Sequence, residues 1–135
     1  MYLLDTNILS ELIKKRPNPY FLTKILSKPS QSLFTSSICV FELRFGSALR
    51  NDFHTFWTKI MNEIIDRITV LPFGENEALM AGDILARLQK SGEKIGLEDI
   101  FIAATAITNN STLVTANIRH YSRIKDLKIE NWIKA

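Results

Sequence analysis

The sequence predicts an α/β fold in which a parallel sheet carries helices on both faces. Short apolar runs, typical of buried strands, alternate with longer segments whose apolar residues recur at helical spacing. Pro, Gly, Asn and Ser residues lie between these segments and indicate turns. Such alternation favours parallel strands joined by helical crossovers. The length of 135 residues suits one domain, which we expect to span residues 1–135.

The first half of the chain is predicted to contain three strands and four helices. Pro17 ends the first helical pattern, and Asn18-Pro19 is typical of the start of the second helix. Either Ser36 or Ser37 is the expected cap of the third helix. The predicted elements are a strand over 2–5, a helix over 7–15, a helix from 20 to the break at Pro29, a strand over 32–35, helices over 37–49 and 53–64, and a strand over 68–71.

The second half is predicted to add two helices and two strands. Ser91-Gly92 ends an amphipathic helix, and the next helix is strongly apolar. The predicted elements are helices over 75–89 and 99–109, a strand over 112–115, a polar loop over 117–123, and a last edge strand within 127–133.

Composition and charge are those of an ordinary globular protein. Hydrophobic residues make up 46% and charged residues 23% of the chain, which excludes a disordered protein. The net charge of +3 is compatible with RNA as a partner but does not require it. Cys39, the only cysteine, lies in an apolar run, so we expect a buried thiol in a cytoplasmic protein. We expect no membrane partner, because no apolar run reaches the length of a span and no signal peptide is recognisable.

Four polar residues that lie far apart in the sequence mark the predicted functional site. Asp5 ends the first strand, Asn117 follows the fourth, Glu42 interrupts an apolar helical stripe, and Asp99 begins the apolar helix. Parallel strands end at one edge of a sheet, where open α/β folds bind ligands, so we expect all four residues there. Each also fits a structural role: Glu42 as a solvent-facing acid or a partner of Arg44, Asp99 as a helix cap or a first-turn acid, and Asn117 as a turn residue.

Carboxylates gathered at one edge of a sheet repel one another unless a divalent cation joins them. Their hard oxygen atoms suit Mg²⁺ or Mn²⁺, and the sequence lacks a zinc-type set of Cys and His. Such an ion can activate a water and stabilise charge on a phosphate. The predicted metal ligands and catalytic residues are Asp5, Glu42 and Asp99. The residues predicted to orient them, or else to cap helices and turns, are Thr6, Asn7, Ser37, Thr115 and Asn117.

Basic side chains near the expected mouth of the site are candidates for contacts with an RNA backbone. These candidates are Arg44, Arg119, His120 and Arg123. For His120 the alternative is a solvated position in a polar loop. The basic run at residues 14–16 is also compatible with an RNA path, although such runs are more often solvated helix ends.

Four segments, in this order, resemble the sequence motifs of PIN domains. They are Leu3-Leu4-Asp5-Thr6-Asn7, residues 38–46 with Glu42-Leu43-Arg44-Phe45-Gly46, residues 98–104, and residues 113–117 followed by Arg119-His120-Tyr121 and Glu130-Asn131-Trp132. Within this family the chain is most similar to VapC- and FitB-type toxins of toxin–antitoxin pairs. The resemblance covers essentially the whole chain, and four motifs at these spacings are specific.

The resemblance implies a sheet of about five parallel strands and a metal-dependent endoribonuclease acting on RNA such as tRNA or rRNA. The acids of the family correspond to Asp5, Glu42 and Asp99. It further implies a homodimer, and a small VapB-like antitoxin that blocks the acidic pocket, often with an arginine. One departure is Asn117, where many PIN domains carry an aspartate. The amide removes one negative charge, which puts a second metal position in doubt.

Two other classes of function stay open on the sequence. A PIN-fold module with weak catalysis would act through complexes with its antitoxin and operator DNA, and Asn117 is the residue that favours this class. A metal-dependent phosphatase or a DNA-directed nuclease on a similar sheet is the other class. The phosphatase is disfavoured because Asn7 interrupts the Asp-x-Asp pattern that its nucleophile requires.

Overall fold

Five short parallel strands form the centre of the protein, which the computed structural model describes over residues 1–134. All four strand pairings are parallel, as the alternation of elements predicts. The strands are β1 (Tyr2–Leu4), β2 (Leu33–Ser36), β3 (Thr69–Leu71), β4 (Thr112–Val114) and β5 (Ile129–Glu130), in the spatial order β3-β2-β1-β4-β5. The predicted fold class is therefore confirmed.

Seven helices connect and flank these strands. The side chain of Asn18 caps the second helix, and the hydroxyl of Ser36 caps the third by accepting a hydrogen bond from the backbone N–H of Cys39 at 3.1 Å. The helices are α1 (Thr6–Leu12), α2 (Pro19–Leu26), α3 (Ser37–Ala48), α4 (Phe53–Glu63), α5 (Glu75–Lys90), α6 (Leu97–Thr108) and α7 (Ile118–Tyr121). In residues 1–134 no helix is both long and apolar enough to cross a bilayer.

The order of the strands places a topological switch point between β1 and β4. The chain moves from β1 to β2 and β3 in one direction, then returns past β1 to β4 and β5. Because parallel crossovers are right-handed, this reversal puts the helices after β3 on the opposite face from those before it. Ligands of open α/β sheets bind at such a point, beyond the carboxyl ends of the strands.

The two central strands and α6 form the middle of the core. Leu3, Leu4, Leu113 and Val114 are fully buried, as is typical of strands covered on both faces. On α6 the residues Ile102, Ala103, Ala104 and Ala106 are fully buried, and the small alanine side chains let this helix lie close to the sheet. That close approach brings the first turn of α6 to the carboxyl ends of β1 and β4.

Local structure differs from the sequence predictions in two places. Helix α6 begins at Leu97 with Gly96 as its N-cap, two residues before the predicted start, so Asp99 lies in the first turn and is not the cap. The predicted polar loop contains the one-turn helix α7, which has too few residues for an apolar period to show. Of the two candidate caps of α3, the structure has Ser36. Cys39 is fully buried, as predicted.

Candidate active site

Asp5 occupies the switch point between β1 and β4. It caps α1, and its Oδ1 atom accepts a hydrogen bond from the backbone N–H of Thr6 at 2.8 Å. Its Oδ2 atom accepts a hydrogen bond from the hydroxyl of Thr115, directly after β4, also at 2.8 Å. The residue is only 4% exposed. Asp5 is therefore held by donors from both sides of the switch point.

Burial makes ionisation of Asp5 costly. Desolvation raises the pKa of Asp5 to about 6, although the hydrogen bonds from Thr115 and Thr6 act in the opposite direction. The negative charges of Asp99 and Glu42 make a smaller contribution to this rise. The charges of Asp99 and Glu42 therefore act on Asp5, and a cation among the three carboxylates would favour the ionised form of each.

Glu42 reaches the same place from α3. Its Oε1 atom accepts a hydrogen bond from the hydroxyl of Thr6 at 2.6 Å, so Thr6 donates to both acids, to Asp5 through its backbone and to Glu42 through its side chain. One carboxylate oxygen of Asp5, one of Glu42 and the sulfur of Cys39 lie within 4.8 Å of one another. Burial raises the pKa of Cys39 to about 11, so its thiol stays protonated, and only the hard oxygen ligands of this group suit Mg²⁺.

Asp99 approaches from the first turn of α6 and is held by α7. Its Oδ1 atom accepts a hydrogen bond from the hydroxyl of Tyr121 at 3.0 Å. Its Oδ2 atom lies 3.2 Å from Nδ1 of His120. The side chain of Asp99 is 24% exposed. The structure therefore places Asp99 near Asp5, but its oxygen atoms are engaged on the α7 side and not with the group that Asp5 and Glu42 form.

The predicted supporting residues divide into two groups. Asn7 ties α1 to the chain after β4, because its Oδ1 atom accepts a hydrogen bond from the backbone N–H of Ala116 at 3.2 Å. The hydroxyl of Thr115 donates to Asp5 and accepts from the backbone N–H of Asn117 at 3.0 Å. Asn117 itself is exposed at the start of α7, so its contact with this network is made by its backbone. Ser37 is the first residue of α3 and half-buried.

Of the four predicted RNA contacts, three lie on or directly after α7 and the fourth, Arg44, lies on α3. Arg119 and His120 lie on α7, next to Asp99. Arg123 donates a hydrogen bond to the backbone carbonyl of Lys94 at 3.2 Å. The guanidinium of Arg44 lies 4.5 Å and 4.8 Å from the ring centroids of Phe53 and Trp57, respectively. Arg44 is thus packed against α4.

Sequence reasoning missed two features of the site. Tyr121 ends a polar segment, and nothing in its sequence neighbourhood indicates that its ring is buried beside Asp99. An open groove of about 540 Å³ borders Glu42, and its lining residues are Thr6, Phe41, Glu42, Phe45 and Glu98. In the sequence, the apolar residues around Glu42 form a helical stripe. The exposure of Phe41 and Phe45 depends on the tertiary fold and is not visible in that pattern.

Comparison with known proteins gives one consistent family. The PIN domain family matches residues 2–127. The chain is 36% identical over 135 residues to Ribonuclease VapC2 of Haemophilus influenzae, covering 98% of each chain. It is 33% identical over 134 residues to Ribonuclease VapC2 of Rickettsia felis, covering 99% of each.

Solved structures agree with this family. The VapBC2 complex of Rickettsia felis, bound to a DNA fragment from its promoter, matches with a TM-score of 0.86 and 32% identity over 97% of this chain and 98% of that chain. VapBC-1 from nontypeable Haemophilus influenzae matches with a TM-score of 0.87 and 32% identity over 98% of both chains. The similarity spans the strands and helices that carry Asp5, Glu42 and Asp99. The chain therefore belongs to the PIN-domain family and, within it, to the VapC ribonucleases.

Proposed function

We propose that this VapC ribonuclease is a metal-dependent endoribonuclease and the toxin of a VapBC-type pair. The observation that carries the metal dependence is the approach of Asp5 and Glu42 oxygens within 4.8 Å at the switch point of the sheet. Membership of the VapC ribonucleases supports RNA as the substrate. One relative, from Salmonella typhimurium, is named a tRNA(fMet)-specific endonuclease and is 29% identical over 97% of both chains. It supports structured RNA as a substrate class to test.

The acids of the site fit a hard divalent cation. Asp5 and Glu42 supply closely spaced oxygen atoms, and burial raises the pKa of Asp5, so a bound cation would offset the cost of its ionised form. We assign Asp5, Glu42 and Asp99 as the residues that hold Mg²⁺ or Mn²⁺. When bound, this ion supplies a Lewis acid that lowers the pKa of a coordinated water and offsets charge on the scissile phosphate.

The surrounding residues keep these acids in place. Thr115 and Thr6 direct the two oxygens of Asp5, and Asn7 locks α1 to the end of β4. Because the hydroxyl of Thr6 occupies Oε1 of Glu42, we assign Oε2 either to the metal or to accepting the proton of the attacking water. Arg119 and His120, on the exposed helix α7, are the basic residues best placed to meet the RNA backbone.

Protein partners are part of the proposal. The structures of the relatives named above are VapBC complexes, which supports a VapB-like antitoxin for this chain. Phe41 and Phe45 on α3 and Leu49 at its C-cap recur every four residues and are 57%, 59% and 72% exposed. An exposed apolar stripe of this kind is typical of protein interaction sites and supports an antitoxin or a second copy of the chain as a partner. We propose that the chain acts in the cytoplasm as a homodimer.

Cleavage assays test the activity and its metal dependence together. The purified, metal-free chain is incubated with structured RNA, including tRNA, and with single-stranded DNA, each with Mg²⁺, with Mn²⁺ or with EDTA. We expect cleavage of RNA only when a divalent ion is present, and its loss in Asp5→Asn and Asp99→Asn. Undiminished cleavage by both variants would refute the assigned site. Cleavage of DNA alone would favour the DNA-directed nuclease, and inertness of the wild type toward every substrate would favour the non-catalytic module.

A further inference from the structure

We infer that Tyr121 is the positioning residue for Asp99, and that its hydroxyl fixes one carboxylate oxygen so that the acid is presented to the metal in a single orientation. This inference rests on the proposed role of Asp99 as a ligand. The hydroxyl of Tyr121 donates to Oδ1 of Asp99 at 3.0 Å. Outer partners of this type set the direction of a ligand and so its affinity for the ion.

The side chain of Tyr121 is more buried than the acid that it holds. The residue is fully buried at the end of α7, whereas the side chain of Asp99 is 24% exposed. Its backbone N–H donates to the carbonyl of Asn117 at 3.4 Å, and its own carbonyl accepts from Ile124 at 3.0 Å. The buried phenol therefore has fewer alternative orientations than the carboxylate, which takes its orientation from the phenol.

The hydroxyl of Tyr121 contributes a hydrogen bond that packing of the ring alone does not supply. A phenylalanine ring would fill the same space, whereas a buried hydroxyl costs free energy unless it is hydrogen-bonded. Among the hydrogen bonds within residues 1–134, the partner of this hydroxyl is Asp99.

His120 is a weaker influence on the same acid. Its side chain is 59% exposed, and Nδ1 lies 3.2 Å from Oδ2 of Asp99. Water can replace an exposed partner of this kind, whereas water has no access to the fully buried position of Tyr121. The Oδ2 atom is thus the one that can exchange its partner for an ion while Tyr121 retains Oδ1.

Binding of Mn²⁺ to the metal-free protein, measured by calorimetry without RNA, tests the inference. We expect Tyr121→Phe to weaken Mn²⁺ binding by about tenfold, the lower end of what outer partners contribute. The matched control is Tyr2→Phe, which removes a hydroxyl at the opposite end of β1 from Asp5 and should leave the dissociation constant unchanged. Unchanged Mn²⁺ affinity in Tyr121→Phe would overturn the inference, whatever its melting temperature.

Asp99→Asn separates this inference from the proposed function. If Asp99→Asn weakens Mn²⁺ binding and Tyr121→Phe does not, only the positioning role fails. If neither variant changes the affinity, the ligand role of Asp99 fails and the positioning role fails with it. When both variants weaken binding, the double variant should bind no more weakly than Asp99→Asn alone, because both act through one carboxylate. Additive losses would overturn the inference.

A measurement on the unmodified chain covers the case in which Tyr121→Phe does not fold. The chain has three tyrosines, so ¹³C labelling at Cζ gives three assignable NMR signals. In a titration with Mg²⁺, we expect the Tyr121 signal to move with the same midpoint as metal binding, while the signals of Tyr2 and Tyr20 stay in place. A stationary Tyr121 signal at saturating Mg²⁺ would contradict the inference.

Discussion

The two sides of the acidic site are built differently. On the sheet side, Asp5 is 4% exposed and receives hydrogen bonds from Thr6 and Thr115. On the α7 side, the side chain of Asp99 is 24% exposed, and one of its two partners, His120, is 59% exposed. The difference teaches that one acid is positioned by the central sheet, whereas the other depends on a helix of one turn.

Backbone hydrogen bonds explain why the sheet side is the more rigid. The N–H of Asp5 donates to the carbonyl of Val114 at 2.9 Å, and the N–H of Thr115 donates to the carbonyl of Glu130 at 3.0 Å. Both residues thus continue the strand pairing beyond β1 and β4. Surface elements with few buried contacts open at lower free energy than core strands do. We therefore expect hydrogen exchange to be faster in α7 than at residues 3–5 and 113–115.

Asp5→Asn has the largest expected effect and compares the two sides directly. We expect it to lower RNA cleavage by at least about 100-fold, because loss of a ligand exceeds the usual 10–100-fold effect of an outer partner. Asp99→Asn should cost less, because its side of the site is the more adaptable. Initial rates at saturating Mg²⁺ give the ratio. A greater loss in Asp99→Asn than in Asp5→Asn would break the comparison.

The pH dependence of stability measures the free-energy cost of ionising Asp5 on the buried, sheet side of the site. Burial raises the pKa of Asp5 from its ordinary value of 3.8 to about 6 in the folded protein, so the folded state resists ionisation. Stability from this group is fully present below pH 3.8 and is lost as the pH rises through 6, by about 3 kcal/mol. Urea denaturation with EDTA at pH 4 and pH 7, for wild type and Asp5→Asn, isolates the effect. The prediction would be contradicted if wild type and Asp5→Asn differed in free energy of unfolding by the same amount at pH 4 and at pH 7.

Thr115→Val tests the connection between the two sides. The substitution keeps the shape of the side chain but removes the donor to Asp5 and the acceptor for the N–H of Asn117. We expect cleavage to fall by about 10-fold. Thr112→Val, at the opposite end of β4, is the matched control and should retain full activity. Equal rates for the two variants would show that Asp5 is held without Thr115.

The smallest expected effect separates Arg44 from Arg119. Arg44 packs on the rings of Phe53 and Trp57, so Arg44→Gln should lower stability by about 0.5–1 kcal/mol. Arg119→Gln, on exposed α7, should instead raise KM for RNA by about threefold. Thermal unfolding and steady-state kinetics of both variants distinguish the two roles. A larger KM effect from Arg44→Gln would place RNA along α3 instead of α7.

The proximity of residues that follow the ends of strands could be predicted from the sequence. Asp5, Thr6, Asn7 and Thr115 follow apolar runs, and parallel strands bring such positions to one edge, so their proximity could be predicted. Glu42 could be predicted because a charge on an apolar stripe needs a partner. The metal-binding roles of these residues remain predictions.

The remaining details depend on tertiary placement. Arg44 is two positions from Glu42, but residues two apart on a helix do not face the same way, and the guanidinium of Arg44 lies over the ring of Phe53. Tyr121 meets Asp99 across 22 positions through a helix too short to show a period. Residues Leu97 and Glu98 extend α6 ahead of Asp99 because an extended Gly96 opens the helix, and a glycine there has no side chain to signal the cap.

The hydrogen bond between Asp5 and Thr115 joins residues 110 positions apart. During translation, the acid leaves the ribosome long before the strand that completes its surroundings. Domains assemble as their interacting segments become available, so a nascent chain shorter than 115 residues lacks the switch point altogether. A product that ends before Thr115 therefore lacks the hydroxyl that donates to Oδ2 of Asp5.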